Sequence, residues 1–381
     1  MTAIALMTAL AGMLALLVIL LVWSPGRPLP YLDASGKPVS DSISEKTRVR
    51  INGVEQGMFI KSTHASHPVL LYLHGGIPDY FLTERHPTGL DKYFTVAWWE
   101  QRGSGLSYHA DMSPESVTAN QLVSDAVEVT HYLRERFDQE KIYLMGRSGG
   151  TFFGIQAAAR FPHLYHAYIA VGQMSNQLAS ERLAYEYMLQ QFKHERNSRM
   201  VRKLEAAPVT LEHGVPAGYL RVRDEAMHRL GVGTMREMRS VATGLFLPSL
   251  CNRDYTLAEK INLWRGKAAM GVSSMWTEML ATDLAERVPR VDVPVYFLHG
   301  VHDYTVSYPL ARAYYERLEA PVKGFYTFHE SAHSPLFEEP EKTCRVMRED
   351  VLTGSTGLAD PELGLLLGIA AERKTPTTSG R

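Results

Sequence analysis

The chain has 381 residues, 45% of them hydrophobic and 21% charged, which is ample apolar material for a large core. Lys and Arg number 40 against 41 Asp and Glu, and no basic block stands out, so nucleic-acid binding has no electrostatic footing. The two cysteines, Cys251 and Cys344, form neither a C-x-x-C nor a zinc pattern, which excludes a disulfide framework and leaves the redox compartment open.

Ala3–Trp23 is an uncharged, mostly apolar run long enough to cross a bilayer as a helix. No Lys or Arg precedes it and no small-x-small cleavage site follows. It therefore reads as a membrane anchor over residues 1–24, ahead of a cleaved signal peptide or a buried helix. Trp23 falls where an interfacial aromatic belongs, and Arg27, Lys37, Lys46, Arg48 and Arg50 on the C-terminal flank favour a cytoplasmic domain. Pro25, Pro28, Pro30 and Pro38 mark residues 25–45 as an extended linker.

Two antiparallel strands, Thr47–Ile51 and Gly57–Lys61, are expected around the hairpin signal Asn52-Gly53. Pro68–Leu73 is an apolar strand running into His74-Gly75-Gly76-Ile77-Pro78. Glycines there let the backbone approach a reacting carbonyl, so the N–H of Gly76 is a candidate oxyanion donor, with Ile77 the nearest alternative. Phe94–Trp99 is the next strand, followed by Glu100-Gln101-Arg102-Gly103-Ser104-Gly105-Leu106-Ser107. No P-loop spacing is present, and Arg102 reads as a structural ion pair or carbonyl clamp. Thr118–Phe137 carries apolar residues at helical spacing.

The strand Ile142–Met145, the turn Gly146-Arg147-Ser148-Gly149-Gly150 and a helix over Thr151–Arg160 make the strand–turn–helix context that G-x-S-x-G needs to act as a nucleophile elbow. Ser148 is the candidate nucleophile. The N–H of Gly149, opening the helix, is the other candidate oxyanion donor. His166–Val171 is a further strand. Residues 173–288 change texture: helices are expected over Ala179–Glu205 and Leu257–Met270 and around Trp276, while Pro208, Gly214, Pro216 and Gly218 interrupt Ala207–Gly233. The segment reads as a helical cap inserted between two parts of an α/β core, 46–172 and 289–352. In the second part, Val293–Leu298 and Lys323–Phe328 are strands, and Tyr308–Leu318 and Phe337–Val351 are helices. Residues 353–381 are a tail with an apolar patch, Leu363–Ala371, and a polar end, Lys374–Arg381, read as disordered.

Asp303 follows the first of these strands and His333 the second. Loops at the carboxyl ends of parallel strands collect on one edge of a sheet, so both can converge on Ser148. His333 would take the serine proton and Asp303 would fix the imidazole tautomer. His302, beside Asp303, and His329, at the strand end, are the rival bases; His333 is preferred because it lies in the loop after the last strand and before the closing helix, the slot chain order assigns to the base.

With these motifs, the chain over about Lys46–Val351 resembles the α/β-hydrolase superfamily, and within it the proline iminopeptidase-like branch. That branch usually shows H-G-G-P-G and D-Q-R-G-x-G-x-S, and often a Trp after its serine. Here Ile77-Pro78 replace Pro-Gly, Glu100 replaces Asp, and Gly149 follows the serine. The fold implied is a mostly parallel central sheet flanked by helices, with a helical cap. The activity implied is hydrolysis of an ester or amide, including an N-terminal proline peptide bond, in a small-molecule or short-peptide substrate. An aminopeptidase of this kind needs cap acids for the substrate's ammonium, since a buried cation must be paired. Glu181, Glu186 and Glu278 are the candidates, with Trp276 and Glu278 a loose echo of the branch's cap signature. Epoxide hydrolases and haloalkane dehalogenases share the fold but carry an aspartate at the elbow, against which Ser148 argues. A lyase or acyltransferase reusing the same residues, or a silent binding module, are the readings from other classes. No metal cluster or cofactor fingerprint appears.

Overall fold

The computed structural model describes residues 2–270 and 274–361. Eight strands run β1 (Ile43–Ile51), β2 (Val54–Ser62), β3 (Val69–Leu73), β4 (Thr95–Glu100), β5 (Ile142–Arg147), β6 (Tyr165–Val171), β7 (Val295–Gly300) and β8 (Lys323–Phe328). They form one sheet in the order β1-β2-β4-β3-β5-β6-β7-β8. The β1–β2–β4 pairs are antiparallel and the rest parallel. Strands β3 to β5 and β7 are buried along their whole length, as a parallel sheet covered on both faces requires. The hairpin forms at the expected place: Asn52 (φ 44°) and Gly53 (φ 79°) take the two positive-φ positions of a type I′ turn.

Helices before the cap are α1 (Thr2–Val22), α2 (Ala119–Phe137) and α3 (Gly149–Arg160). The cap, between β6 and β7, holds α4 (Gln177–His194), α5 (Ser198–Glu205), α6 (Ala217–Arg229), α7 (Leu247–Cys251), α8 (Leu257–Ala269), α9 (Trp276–Ala281) and α10 (Leu284–Arg287). After it come α11 (Tyr308–Arg317), α12 (Pro335–Glu338) and α13 (Pro340–Val346). Within α1 the stretch Ala5–Val22 is long and apolar enough to cross a membrane, and none of it is buried in the protein.

Three segments differ from the sequence expectation. The helix expected over Ala179–Glu205 breaks between α4 and α5, where Arg196 turns left-handed (φ 56°) and the Asn197 side chain caps the N–H of Met200 at 3.2 Å. Ala207–Gly233, expected to be interrupted, contains α6. Pro216 and Gly218 stand at its N-terminal end, where a missing N–H costs no intrahelical bond. The closing helix is divided at Glu339-Pro340 into α12 and α13 and ends in a π-turn over Met347–Val351. The apolar patch Leu363–Ala371 and the polar end Lys374–Arg381 lie outside the described residues.

One buried carboxylate ties the antiparallel edge to the parallel sheet. Asp125 on α2 accepts Arg102 Nε at 2.6 Å and Nη2 at 2.9 Å, a two-point pair. It also accepts amide N–H groups of Gln56 at 2.9 Å, Asn52 at 2.8 Å and Gln121 at 2.8 Å. The structural role expected of Arg102 is the one observed. Since Asp125 is fully buried, Asp125→Ala strands the guanidinium, and a drop of about 3–5 kcal/mol in unfolding free energy is expected by urea titration. A double change, Arg102→Met with Asp125→Leu, should recover part of that loss.

Candidate active site

The turn after β5 is forced by backbone contact. A Cβ on Gly150 would lie 2.2 Å from the Leu73 carbonyl oxygen, so only glycine lets α3 leave this close to β3. Ser148 takes φ 54° and ψ −126°, a region that costs a non-glycine residue free energy and is held by the surroundings. Its N–H donates to Val171 at 3.0 Å and its carbonyl accepts from Thr151 N at 2.8 Å. The side chain stands against the loop after β3, with Oγ 3.1 Å from where a Gly75 Cβ would sit.

Asp303, three residues past β7, is buried and accepts His333 Nδ1 at 2.7 Å and the Val306 N–H at 2.8 Å. Burial alone would raise its carboxyl, but the His333 charge and the hydrogen bonds of His299 and His333 hold it well below the usual range. Burial holds the His333 imidazole below the usual histidine range, against the pull of Asp303. The ring is therefore neutral near pH 7, with its proton on Nδ1 facing the carboxylate. Nε2 is buried without a hydrogen-bond partner among the described residues. Gly172 (φ +66°) makes room: a Cβ there would lie 3.0 Å from His333 Cε1.

Ser148, His333, Gly76, Ile77 and Gly149 line one cavity of about 230 Å³ between the sheet edge and the cap. The structure thus brings the Ser148 hydroxyl and the Asp303-bound His333 imidazole to one cavity, the groups with which a base can take a proton off a hydroxyl, without a hydrogen bond between the two among the described residues. Of the rival histidines, His329 is exposed and His302 half-buried, and neither is among the described lining residues. Glu181, Glu186 and Glu278 are not among them either. Glu181 is fully buried and held at both oxygens by Arg223, at 2.7 and 2.6 Å, with Tyr219 at 3.0 Å. Glu186 pairs with Arg182 at 2.7 Å on an exposed helix face, and Glu278 with Arg287 at 3.3 Å. A larger hollow of about 920 Å³, lined by Tyr31, Tyr80 and Arg253, contains neither Ser148 nor His333.

Several residues around the cavity escape motif reading. Arg147, the variable position of the elbow, is buried and bonds Asp79 Oδ2 at 2.9 Å and the Ser334 hydroxyl. Tyr72 also donates to that Asp79 oxygen at 2.9 Å. The Glu338 carboxylate accepts the N–H groups of Ala332 and Ser334, on either side of His333, at 3.1 and 3.0 Å; burial pushes it up to about 7. His74 accepts the Gln101 N–H at 3.2 Å on Nε2 and donates from Nδ1 to the Gly75 carbonyl at 2.8 Å, which locks the H-G-G loop to the E-Q-R-G turn. Burial takes its pKa down to about 3, so it stays neutral. From the cap, Lys267 brings Nζ to 3.9 Å from where a Gly76 Cβ would be, and burial lowers its pKa. Asp224 also lines the cavity, held by Arg223 Nη1 at 3.2 Å. A lone charged residue in the x position of G-x-S-x-G, directly after an apolar strand, is the signal in the sequence that could have flagged Arg147.

The family model described as alpha/beta hydrolase fold matches residues 68–340. The chain belongs to the alpha/beta hydrolase fold family. A Bacillus subtilis (strain 168) relative named "Probable aminopeptidase YbaC" is 29% identical over 308 residues, 80% of this chain and 95% of the relative. A solved proline iminopeptidase-related protein from Thermus thermophilus is 20% identical, with TM-score 0.55, over 81% of this hydrolase and 97% of that chain. A solved membrane phospholipase A is 16% identical, with TM-score 0.56, over 93% and 97%. At these identities the two structures bear on the fold alone. The superfamily expected from the motifs is the one the family model gives, and a proline iminopeptidase-related protein is among the structures alike in fold.

The buried Arg147–Asp79 pair carries its own expectation. Arg147→Met leaves an unpaired carboxylate under the site, and urea titration should show a loss of about 3–5 kcal/mol. Asp79→Asn, which keeps an acceptor for Tyr72 and Arg147, should cost less.

Proposed function

We propose that this alpha/beta hydrolase is a serine hydrolase that cleaves carboxylic esters through an acyl-enzyme. Ser148 attacks the carbonyl, His333 Nε2 accepts its proton and returns it to the leaving alcohol, and Asp303 stabilises the imidazolium that forms between those steps. The N–H groups of Gly149 and Gly76 are assigned the developing oxyanion, with Ile77 adjacent. Water then enters by the same base to release the acid. The observation that carries the reading is the 2.7 Å His333–Asp303 bond, with the unpartnered Nε2 in the cavity that holds the strained serine.

The ester is favoured over a prolyl amide by the charges in the cavity. A substrate ammonium would need an acid free to pair with it. Glu181 is already held by Arg223, and Asp224 lies between Arg223, Lys267 and His228, which keep it ionised and neutralised in place. An ammonium there would have to share the Asp224 carboxylate with Arg223 and Lys267. The aminopeptidase name of the Bacillus relative supports the second reading, in which Asp224 is the amine-binding acid. We assign α1 as the anchor that holds the enzyme at a membrane.

The test is kcat/KM of the full chain on a short acyl ester and on a proline anilide, with Ser148→Ala as blank. Turnover of the ester is expected to prevail and to fall by about 10⁴-fold or more in Ser148→Ala, with the unfolding midpoint unchanged. The base works only as neutral imidazole, and burial sets its pKa below the ordinary 6.5. The kcat/KM profile should therefore stay level down through pH 7 and drop only at pH values below that ordinary value. Preference for the anilide, lost in Asp224→Asn, would establish the aminopeptidase reading instead.

A further inference from the structure

The helix α1 does not leave the protein on a free tether. Trp23 Nε1 donates to the Cys251 carbonyl at 2.8 Å, and Arg253 lies over the Trp23 ring at 5.4 Å. The fully buried Lys260 bonds Ser24 Oγ at 2.8 Å and the Leu250 carbonyl at 2.7 Å. Gly26 N donates to Arg253 at 3.1 Å. The end of an apolar, membrane-length helix is thus bonded to α7 and α8 of the cap, and whatever surrounds that junction lies at the level where α1 enters the bilayer.

The junction is surrounded by apolar side chains that the protein leaves uncovered. On α7 and α8, the elements bonded to that end of α1, Phe246 at the start of α7 is 40% exposed, Leu247 50% and Ile261 50%, and Trp23 itself is 50% exposed. Leu247 and Cys251 are four residues apart on α7, about 6 Å at helical rise. Phe246 packs its ring edge-on to Trp264 at 5.2 Å, and Trp264 is bonded to Ser249 at 2.9 Å, so α7 and α8 present one surface. The exposed cations Arg27 and Arg253 stand at the same junction, as residues at an anionic lipid surface do. The opposite side of this segment faces inward: Val241 and Leu245 line the cavity that holds Ser148. One stretch, residues 241–251, therefore separates the cavity from the surface next to α1, and it contains a π-turn over Ala242–Phe246, a helical irregularity that often marks functional segments.

We propose that Phe246, Leu247 and Ile261, with Trp23, bed the cap into a lipid bilayer, and that the enzyme draws long-chain acyl esters from that bilayer across the 241–251 wall. The docking surface stands on the α1 junction alone; the substrate class rests on the ester-hydrolase reading above. Burying three large apolar side chains adds interfacial affinity beyond the anchor and gives the cap a preferred face toward the membrane. It gives an acyl chain an apolar route from the lipid to Leu245 without crossing water.

Two measurements on the full chain in phosphatidylcholine–phosphatidylglycerol vesicles test this. In a Cys251→Ser, Cys344→Ser background, a fluorophore on Phe246→Cys should be quenched by doxyl-labelled lipid, and one on Glu140→Cys, exposed just before the amino end of β5, should not. An unquenched Phe246 label overturns the docking surface. Next, the triple variant Phe246→Asp, Leu247→Asp, Ile261→Asp is compared with the parent. Its turnover of a long-chain acyl ester held in the vesicles should fall by about tenfold or more, while a soluble short-chain ester stays within about twofold, as exposed substitutions allow. Equal loss on both substrates, or no loss on either, overturns the bilayer route. A change of oligomeric state in the triple variant would assign the patch to a second copy of the chain and overturn the proposal. Retained turnover in Ser148→Ala would defeat the serine-hydrolase reading and leave the quenching result intact.

Discussion

The site depends on one buried guanidinium. Arg147 sits at the end of β5, next to Ser148, and touches Asp79 from the segment after β3 and Ser334 from the segment after β8. Three loops that leave the sheet on different strands are thereby held to a common point. The approach is possible because the Gly150 position has no side chain to strike Leu73. Remove the pairing and the serine, the loop that borders it and the histidine no longer have a shared reference. An isolated guanidinium at this depth would be costly, so it is retained only with its partners in place.

Around that point the polar groups are arranged in layers. Glu338 holds the backbone on both sides of His333, and His74 ties the loop beside Ser148 to the Glu100 turn. Farther out, Asp125 joins that turn to the hairpin through Arg102. Burial keeps His74 and His333 neutral while Asp303 stays ionised. The consequence is a neutral imidazole nitrogen, His333 Nε2, in the serine's cavity, backed by an ionised Asp303, with Lys267, His228 and the Arg223–Asp224 pair also on the cavity's lining. That wall carries Arg223 and Lys267 beside Asp224, the ground on which an ester is proposed over a cationic amine, and its apolar members Val241 and Leu245 belong to the segment that ends at the α1 junction.

Much of this was legible in advance, for reasons that differ by element. Buried parallel strands are short apolar runs, so β3 to β8 announce themselves, and Asn52-Gly53 marks the hairpin because few other pairs tolerate two positive φ angles. Ser148, Asp303 and His333 could be singled out because chain order and strand ends place them on one edge, whatever lies between. The cap was harder. Arg196 gives no sign that it will turn left-handed, and Pro216 with Gly218 looks like a break when it is the beginning of α6. Acids such as Glu181 were attractive by position, but periodicity does not report that Arg223 and Tyr219, some forty residues on, will occupy them. Lys267 and Asp224 escape sequence reading for the same reason: which cap side chain reaches the cavity is set by how the helices pack.

The central claim is that Ser148 is activated by His333. Intact-mass spectrometry of the full chain after exposure to a fluorophosphonate addresses it directly. The account predicts one phosphonyl adduct, mapped to Ser148, absent in Ser148→Ala and formed far more slowly in His333→Ala. A folded protein that takes up no adduct, or takes it up at the same rate without His333, would contradict it.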